Sequence, residues 1–163
     1  MGIGGNPARV MVTYNSESRS DEVKRFVGGL IEHMGAVAEV VAEEKEDGSV
    51  KVELKGENLG MMIGRRGETL DAIQSLANYS ANRNTEKRIR VTVDAENYRQ
   101  KREEALQKLA EKVAGKVVKY KKSVTLEPMN SYERHVIHSA LQDFKNVATH
   151  SSGSEPNRRV VIS

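Results

Sequence analysis

The sequence predicts an α+β protein in which a long helix joins two small domains, and three observations lead to this class. Residues 20–94 read as helix, strand, strand, helix, helix, strand, and residues 94–121 carry the apolar spacing of one long helix. The remaining residues alternate short strands with one further helix. We therefore expect a linker at residues 1–19 and domains at residues 20–94 and 95–163, the second including the long helix.

The composition excludes several classes of protein. The chain has no cysteine, which rules out disulfides, thiolate metal sites and a cysteine nucleophile. No apolar run approaches the roughly 20 residues that a membrane-spanning helix needs, and the N-terminus lacks the basic start and long apolar stretch of a secretory signal. We therefore expect a cytoplasmic protein without a membrane span.

Charge is distributed unevenly along the chain. Residues 94–163 have 13 basic and 9 acidic side chains, whereas residues 1–93 have 13 and 14. Residues 39–57 contain seven acidic side chains against three lysines, and the basic side chains of residues 65–66 and 83–90 form separate groups. Such separation is typical of a protein that offers one face to a polyanion, although a solvated face explains it equally well on charge alone.

The first predicted domain opens with a helix that Ser20 or Asp21 caps and that ends at Gly35. Two strands follow, joined by a turn at Asp47-Gly48, and residues 87–94 form the third strand. A further short strand is predicted at residues 8–14. The apolar positions of the first helix recur at helical spacing and are Val23, Phe26, Val27, Leu30, Ile31 and Met34.

Between the second and third strands, the stretch Gly64-Arg65-Arg66-Gly67 separates a short helix at residues 59–63 from a longer one. Glycines without a Cβ let a phosphodiester backbone approach closely, and the following helix offers free N–H groups and the positive end of its dipole. The two arginines add positive charge. The longer helix has an apolar stripe at Leu70, Ile73, Leu76, Ala77 and residues 79–81.

The second predicted domain begins with the long helix, which Asp94 caps. Its predicted apolar face comprises Tyr98, Ala105, Leu109, Val113, Val117 and Tyr120. Strands are expected at residues 123–127, 145–150 and 157–163. The helix between the first two of these strands starts with a capping-box pattern and has the apolar positions Tyr132, Val136, Ile137, Ala140, Leu141 and Phe144.

Arg134 and His138 lie four residues apart on this last helix, so their side chains are neighbours. An arginine can donate two hydrogen bonds to one phosphate, and an adjacent imidazole can donate a third or stack on a base. A solvated pair is the alternative. A metal site at His135, His138 and His150 is disfavoured because too few further ligands have a recognisable spacing.

The helix-strand order with its Gly-x-x-Gly turn resembles the KH domain of the bacterial topology (type II), in which this turn clamps about four nucleotides of single-stranded RNA. The segments "MNSYERHVIHSAL" and "NRRVVIS" resemble the R-three-H domain, a module that binds single-stranded nucleic acid. A helix-turn-helix at residues 57–82 is the main alternative to the KH interpretation. The candidate RNA-binding residues are Ile63, Gly64, Arg65, Arg66, Gly67, Arg88, Arg90, Arg134, His138, Lys145, Arg158 and Arg159.

The two domains in this order resemble the Jag (SpoIIIJ-associated) family, also called KhpB or EloR, over nearly the whole chain. The resemblance implies a non-enzymatic RNA-binding regulator of bacterial cell elongation and envelope synthesis, without cofactor or metal, that can pair with a small KH-only protein. Family members commonly carry a further N-terminal domain, and residues 1–14 look like only its tail, so the chain either starts at an internal methionine or lacks that domain. A regulator that binds single-stranded DNA, a protein-interaction adaptor and a homodimer stay open.

Overall fold

The computed structural model describes residues 18–83, 85 and 87–163. The strand predicted at residues 8–14 lies outside this part of the chain. The described residues form two compact units. The first comprises the described residues up to Asn58 together with Asp71–Val93, and the second comprises Leu59–Leu70 together with Asp94–Ser163.

The first unit contains a three-stranded sheet on which helix α1 packs. Its strands lie in the order β1-β2-β3, and β1 pairs antiparallel with β2. Val50, Val52 and Leu54 of β2 are completely buried, whereas the alternate residues point away from the core, as period-two patterning predicts. The elements are α1 (Arg19–His33), β1 (Glu39–Glu44), β2 (Val50–Lys55) and β3 (Val91–Ala95).

The start of α1 differs from the prediction. Ser18, rather than Ser20 or Asp21, is the N-cap, because its hydroxyl oxygen accepts a hydrogen bond from the Asp21 N–H at 3.1 Å. Ser18, Ser20 and Asp21 are all favourable N-cap residues, so the sequence left the cap ambiguous. The predicted end is confirmed, since Gly35 has a positive φ of 72° directly after the last turn.

The second unit consists of two short N-terminal segments, two packed helices and a small antiparallel sheet. Its sheet has the strand order β4-β6-β5, and α4 packs on α5. The elements are α2 (Gly60–Ile63), a 3₁₀ turn (Arg65–Gly67), the first residues of α3 (Glu68–Ala81), α4 (Tyr98–Tyr120), β4 (Val124–Thr125), α5 (Ser131–Ala140), β5 (Thr149–Ser152) and β6 (Arg159–Ile162). The helix and strand order predicted for residues 20–94 is thereby confirmed.

Helix α4 begins later than predicted, and only Val113 and Val117 of its predicted apolar face are buried. It starts at Tyr98, and the side chain of Asp94 accepts a hydrogen bond from the neighbouring Ala95 N–H instead of capping the helix. Leu109 is exposed, and so is Tyr120. The buried positions are Leu106, Ala110, Val113, Ala114 and Val117. The prediction favoured large apolar side chains, whereas small alanines such as Ala110 and Ala114 are buried because they allow two helices to approach closely.

The predicted inward face of α5 was also partly wrong. Val136, Ile137 and Leu141 are buried as expected, but Tyr132 and Phe144 are exposed. The rest of the buried face is charged, which no apolar period can reveal. Within the described residues, none of the helices is long and apolar enough to cross a membrane.

Candidate nucleic-acid interface

The turn between α2 and α3 is shaped by its two glycines. Gly64 has φ 70° and ψ −169°, a region essentially restricted to glycine, and a Cβ there would lie 2.1 Å from the Thr69 hydroxyl oxygen. Gly67 has φ 83°, and a Cβ there would lie 2.8 Å from the Tyr98 ring. Both positions therefore favour glycine, because the side chains of Thr69 and Tyr98 occupy the space that a Cβ would take.

The two arginines of the turn are in different states. Arg65 is 79% exposed, and its nearest carboxylate is that of Glu68 at 3.9 Å. Arg66 adopts the left-handed conformation, and its side chain, only 20% exposed, forms an ion pair with Glu127. Arg65 is thus available to a ligand, whereas the charge of Arg66 is already matched by a carboxylate of the same unit.

The turn leads directly into α3, whose first residue is Glu68. The N-terminal end of a helix carries a partial positive charge and N–H groups without helical partners, which together favour an anion. Ile63, immediately before the turn, is half-buried at the end of α2. A phosphate placed at the turn would meet the helix end and Arg65 together.

Arg88 and Arg90 belong to the first unit, on the approach to β3, and both are exposed. The backbone of Arg90 is fixed, because its carbonyl accepts a hydrogen bond from the Val50 N–H at 2.9 Å. The strand itself begins only at Val91, later than predicted. The predicted site residues therefore fall into both units rather than one.

Arg134 is not the solvated side chain that the sequence left as the alternative to a phosphate contact. It is 8% exposed; its Nη1 donates to the Met129 carbonyl at 2.7 Å and its Nη2 lies 2.7 Å from the Glu155 carboxylate. The guanidinium thus ties the start of α5 to the loop between β5 and β6. Its main contacts are made within the protein.

His138 is held in the same way by β5. Its Nδ1 lies 2.7 Å from the Thr149 hydroxyl oxygen, and its Nε2 lies 2.9 Å from that of Ser151. Burial, and secondarily the neighbouring charges of His135, Arg134 and His150, hold the pKa of His138 below its usual range. The imidazole is therefore predominantly neutral at pH 7 and acts as a polar link between α5 and β5.

The remaining predicted basic residues lie between α5 and β5 and at the start of β6. Lys145 is exposed in the segment after α5. Arg159 begins β6, and its Nε donates to the Asn157 carbonyl at 3.2 Å; Arg158 is half-buried beside it. Arg158 and Arg159 are brought next to the segment that Arg134 anchors, since Glu155 lies in the same loop.

The sequence reasoning missed three residues that shape the turn. Thr69 and Tyr98 occupy the space beside the two glycines, and Glu127 pairs with Arg66. Thr69 lies close enough in sequence to have been considered. Glu127 gave no signal, because it lies 61 residues beyond its partner, in the segment between β4 and α5.

The histidines do not converge on a metal in the part of the chain that the structure describes, where no group of three or more His, Cys, Asp or Glu side chains could hold an ion. Both nitrogens of His138 already face hydroxyl groups. The contacts with Thr149 and Ser151 are sufficient to explain the position of the His138 side chain.

Two family profiles match the chain. Residues 20–93 match the KH domain of KhpA/KhpB, and residues 104–163 match the R-three-H domain. The RNA-binding protein KhpB of Clostridium symbiosum is 42% identical over all of this chain and 73% of its own length. The chain belongs to the KhpB family.

Other KhpB proteins are similar over comparable stretches of this chain. The RNA-binding protein KhpB of Bacillus subtilis (strain 168) is 37% identical over all of this chain and 79% of its own length. That of Streptococcus pneumoniae serotype 2 is 32% identical over 94% of this chain and 47% of its own length. The family resemblance inferred from the Gly-x-x-Gly turn and the Arg-x-x-x-His helix is thereby confirmed.

Proposed function

We propose that this KhpB-family chain binds single-stranded RNA, and that the turn from Gly64 to Gly67 grips the phosphate backbone. The observation that carries this proposal is the pair of glycine-restricted positions beside an exposed arginine at the start of α3. Similar proteins over the whole chain are named RNA-binding. Arg65 contacts phosphate, while the backbone N–H groups and helix end supply the close approach.

In the second unit, we assign different roles to the members of the Arg-x-x-x-His pattern and to the nearby arginines. Arg134 and His138 hold the loop and β5 in place through contacts within the protein. Arg158, Arg159 and Lys145 then supply the charge that a second stretch of the strand would meet. Arg88 and Arg90 contribute in the same way on the first unit.

The cellular role belongs to the proposal as well. The family resemblance supports a non-enzymatic post-transcriptional regulator in the bacterial cytoplasm, linked to cell elongation and envelope synthesis. Pairing with a small KH-only protein is consistent with the exposed apolar side chains Leu76 and Tyr79 on α3. Single-stranded DNA binding and a purely protein-binding adaptor are the outcomes that the following titration separates.

The test is fluorescence anisotropy of a labelled 12-nucleotide single-stranded RNA, with DNA of the same sequence as competitor, across a KCl series. We expect Arg65→Asp to weaken RNA binding by about tenfold or more, since a hydrogen bond to a charged group and its phosphate contact are lost. Lys112→Asp, an equal charge change at an exposed position of α4, is the control.

The outcomes are distinct. An equal loss of RNA affinity in both variants would show that Arg65 contributes only general positive charge and no specific phosphate contact. Tighter binding of DNA than of RNA would replace RNA as the ligand. No salt-dependent binding of either, by a chain with an unchanged circular dichroism spectrum, would favour the adaptor.

A further inference from the structure

Glu127 is held over the turn by the small sheet. The preceding residue, Leu126, is buried and donates its backbone N–H to the Val160 carbonyl at 2.9 Å. Two residues after Glu127, the Met129 N–H donates to the Arg158 carbonyl at 3.1 Å. The backbone of Glu127 is therefore fixed on both sides by β6 and its flank, while its side chain is 82% exposed.

The Glu127 carboxylate pairs with one arginine of the turn and not with the other. The side chain of Arg66 is four-fifths buried and is paired with Glu127, whereas Arg65 is largely exposed and only loosely near Glu68. Carboxylates and phosphates both accept the forked hydrogen bonds of a guanidinium group. Glu127 therefore occupies the kind of position on Arg66 that a backbone phosphate would take.

We propose that Glu127 competes with RNA phosphate for Arg66 and so lowers the affinity of the turn. RNA that binds the turn displaces the carboxylate, which swings into solvent, and Arg66 then neutralises one more phosphate. The segment before α5 thereby sets the affinity of the Gly-x-x-Gly turn. This inference rests on the proposed RNA binding at that turn.

The proposed competition between Glu127 and RNA phosphate leads to two quantitative expectations. In the Glu127→Gln variant, RNA no longer has to break the ion pair between Arg66 and Glu127 in order to bind. This variant should therefore bind the 12-nucleotide RNA about fivefold more tightly. Because Arg66 contacts the same phosphate in both chains once RNA is bound, the slope of log K against log salt should change by less than the roughly 0.7 expected for one further phosphate contact with a single strand.

Two control variants separate competition from general electrostatics. Glu111→Gln removes the same charge from an exposed position of α4 and leaves Arg66 and Glu127 paired, so its affinity and slope should stay close to those of the unmodified chain. Arg66→Asn removes the arginine while keeping a residue that tolerates the left-handed conformation. In that background, Glu127→Gln should no longer change the affinity.

The experiment uses the full chain, the same labelled RNA and KCl from low to physiological concentration, with thermal unfolding to verify that each variant is folded. Unchanged or weaker binding by Glu127→Gln, when the unmodified chain binds RNA, overturns the competition while leaving the proposed function intact. The same gain in the Arg66→Asn background also overturns it. No RNA binding by either chain overturns both proposals.

Discussion

Asn78 uses both ends of its side-chain amide on one residue of the neighbouring strand segment. Its Nδ2 donates to the Val91 carbonyl at 2.7 Å, and its Oδ1 accepts from the Val91 N–H at 2.8 Å. Asn82 does the same with Ile89, at 2.9 and 2.8 Å. The amides of α3 therefore bind the main chain of the segment at residues 89–91 much as a partner strand would.

The spacing explains why this works. Residues four apart on a helix rise by about 6 Å, and residues two apart on a strand rise by about 6.6 Å, so successive amides meet successive outward main-chain groups. Gln74 continues the series by accepting from the Val93 N–H at 3.0 Å. Because β3 lies at the end of the order β1-β2-β3, these side chains satisfy a strand edge that would otherwise be open.

We predict that Asn78→Asp lowers the free energy of unfolding by about 1–3 kcal/mol at pH 7, because a carboxylate cannot donate to the Val91 carbonyl and leaves it without that partner. Urea unfolding followed by circular dichroism measures this. The loss should shrink at acid pH, where the introduced carboxyl group is protonated and can donate again. Ser75→Ala, which removes a bond only within α3, should stay within about 0.5 kcal/mol of the unmodified chain.

The elements of the first unit were largely predictable because apolar side chains at periods of 3.6 and 2 report the buried faces directly. The amide series was not, since Gln74, Asn78 and Asn82 at intervals of four are indistinguishable from the solvated face of a helix. The same limit applies to Arg134, whose burial depends on Glu155 and the Met129 carbonyl. Polar partners distant in sequence leave no periodic signal.

The turn was predictable for a different reason. Glycine is favoured where the backbone needs a positive φ, so the spacing of Gly64 and Gly67 predicted a turn at these residues from the sequence. The distinction between Arg65 and Arg66 was not accessible, because it depends on a carboxylate that only the tertiary fold brings to one of them. The backbone geometry of the turn depends on residues adjacent in sequence, whereas the pairing of a surface charge depends on residues that the fold brings close.

The two glycines of the turn should differ in their tolerance of a Cβ. Gly64→Ala should cost about 3 kcal/mol of unfolding free energy, because it combines a glycine-only conformation with a close approach to Thr69 at the base of its side chain. Gly67→Ala should cost about 1–2 kcal/mol, since the Tyr98 ring can rotate away.

Thermal unfolding provides the comparison, with Gly115→Ala as the control. Gly115 lies within α4, where a Cβ would meet nothing within 4 Å, so that variant should be more stable by roughly 0.5–1 kcal/mol. Equal losses for Gly64→Ala and Gly67→Ala would show that backbone conformation alone, and not Thr69, limits the turn.

His138 should make the protein less stable in mild acid. Its pKa in the folded state is lowered, so the folded state binds a proton less readily than the unfolded chain, whose histidine pKa is about 6.5. The stability that neutral His138 contributes is therefore complete above about pH 6.5 and is lost as the pH falls from there toward the lower folded value.

Urea unfolding midpoints between pH 8 and pH 5 test this prediction. His138→Gln is the informative variant, because its amide can still bond with Thr149 and Ser151 but does not titrate. The decline of the midpoint with acidification should be shallower for His138→Gln than for the unmodified chain. Parallel pH profiles would show that protonation of His138 does not oppose folding.

The charged pair between α4 and α5 should be costly to break from one side. The Glu133 carboxylate is only 5% exposed, and the Nε of Arg102 lies 2.8 Å from it. The capping-box pattern is thus only half realised: the Asn130 side chain accepts from the Glu133 N–H at 2.9 Å, while the carboxylate turns to Arg102. Arg102→Met would leave a buried negative charge, with a loss of about 2–3 kcal/mol.

If the unpaired charge is the cause, adding Glu133→Gln to Arg102→Met should recover part of that stability, although the second substitution removes a native side chain. Tyr132→Phe is the matched control, because it deletes the exposed 2.6 Å hydrogen bond to Glu103 between the same two helices and should cost less than about 1 kcal/mol. A double variant with the same stability as Arg102→Met would mean that the lost packing of the arginine stem, and not the unpaired charge, accounts for the destabilisation.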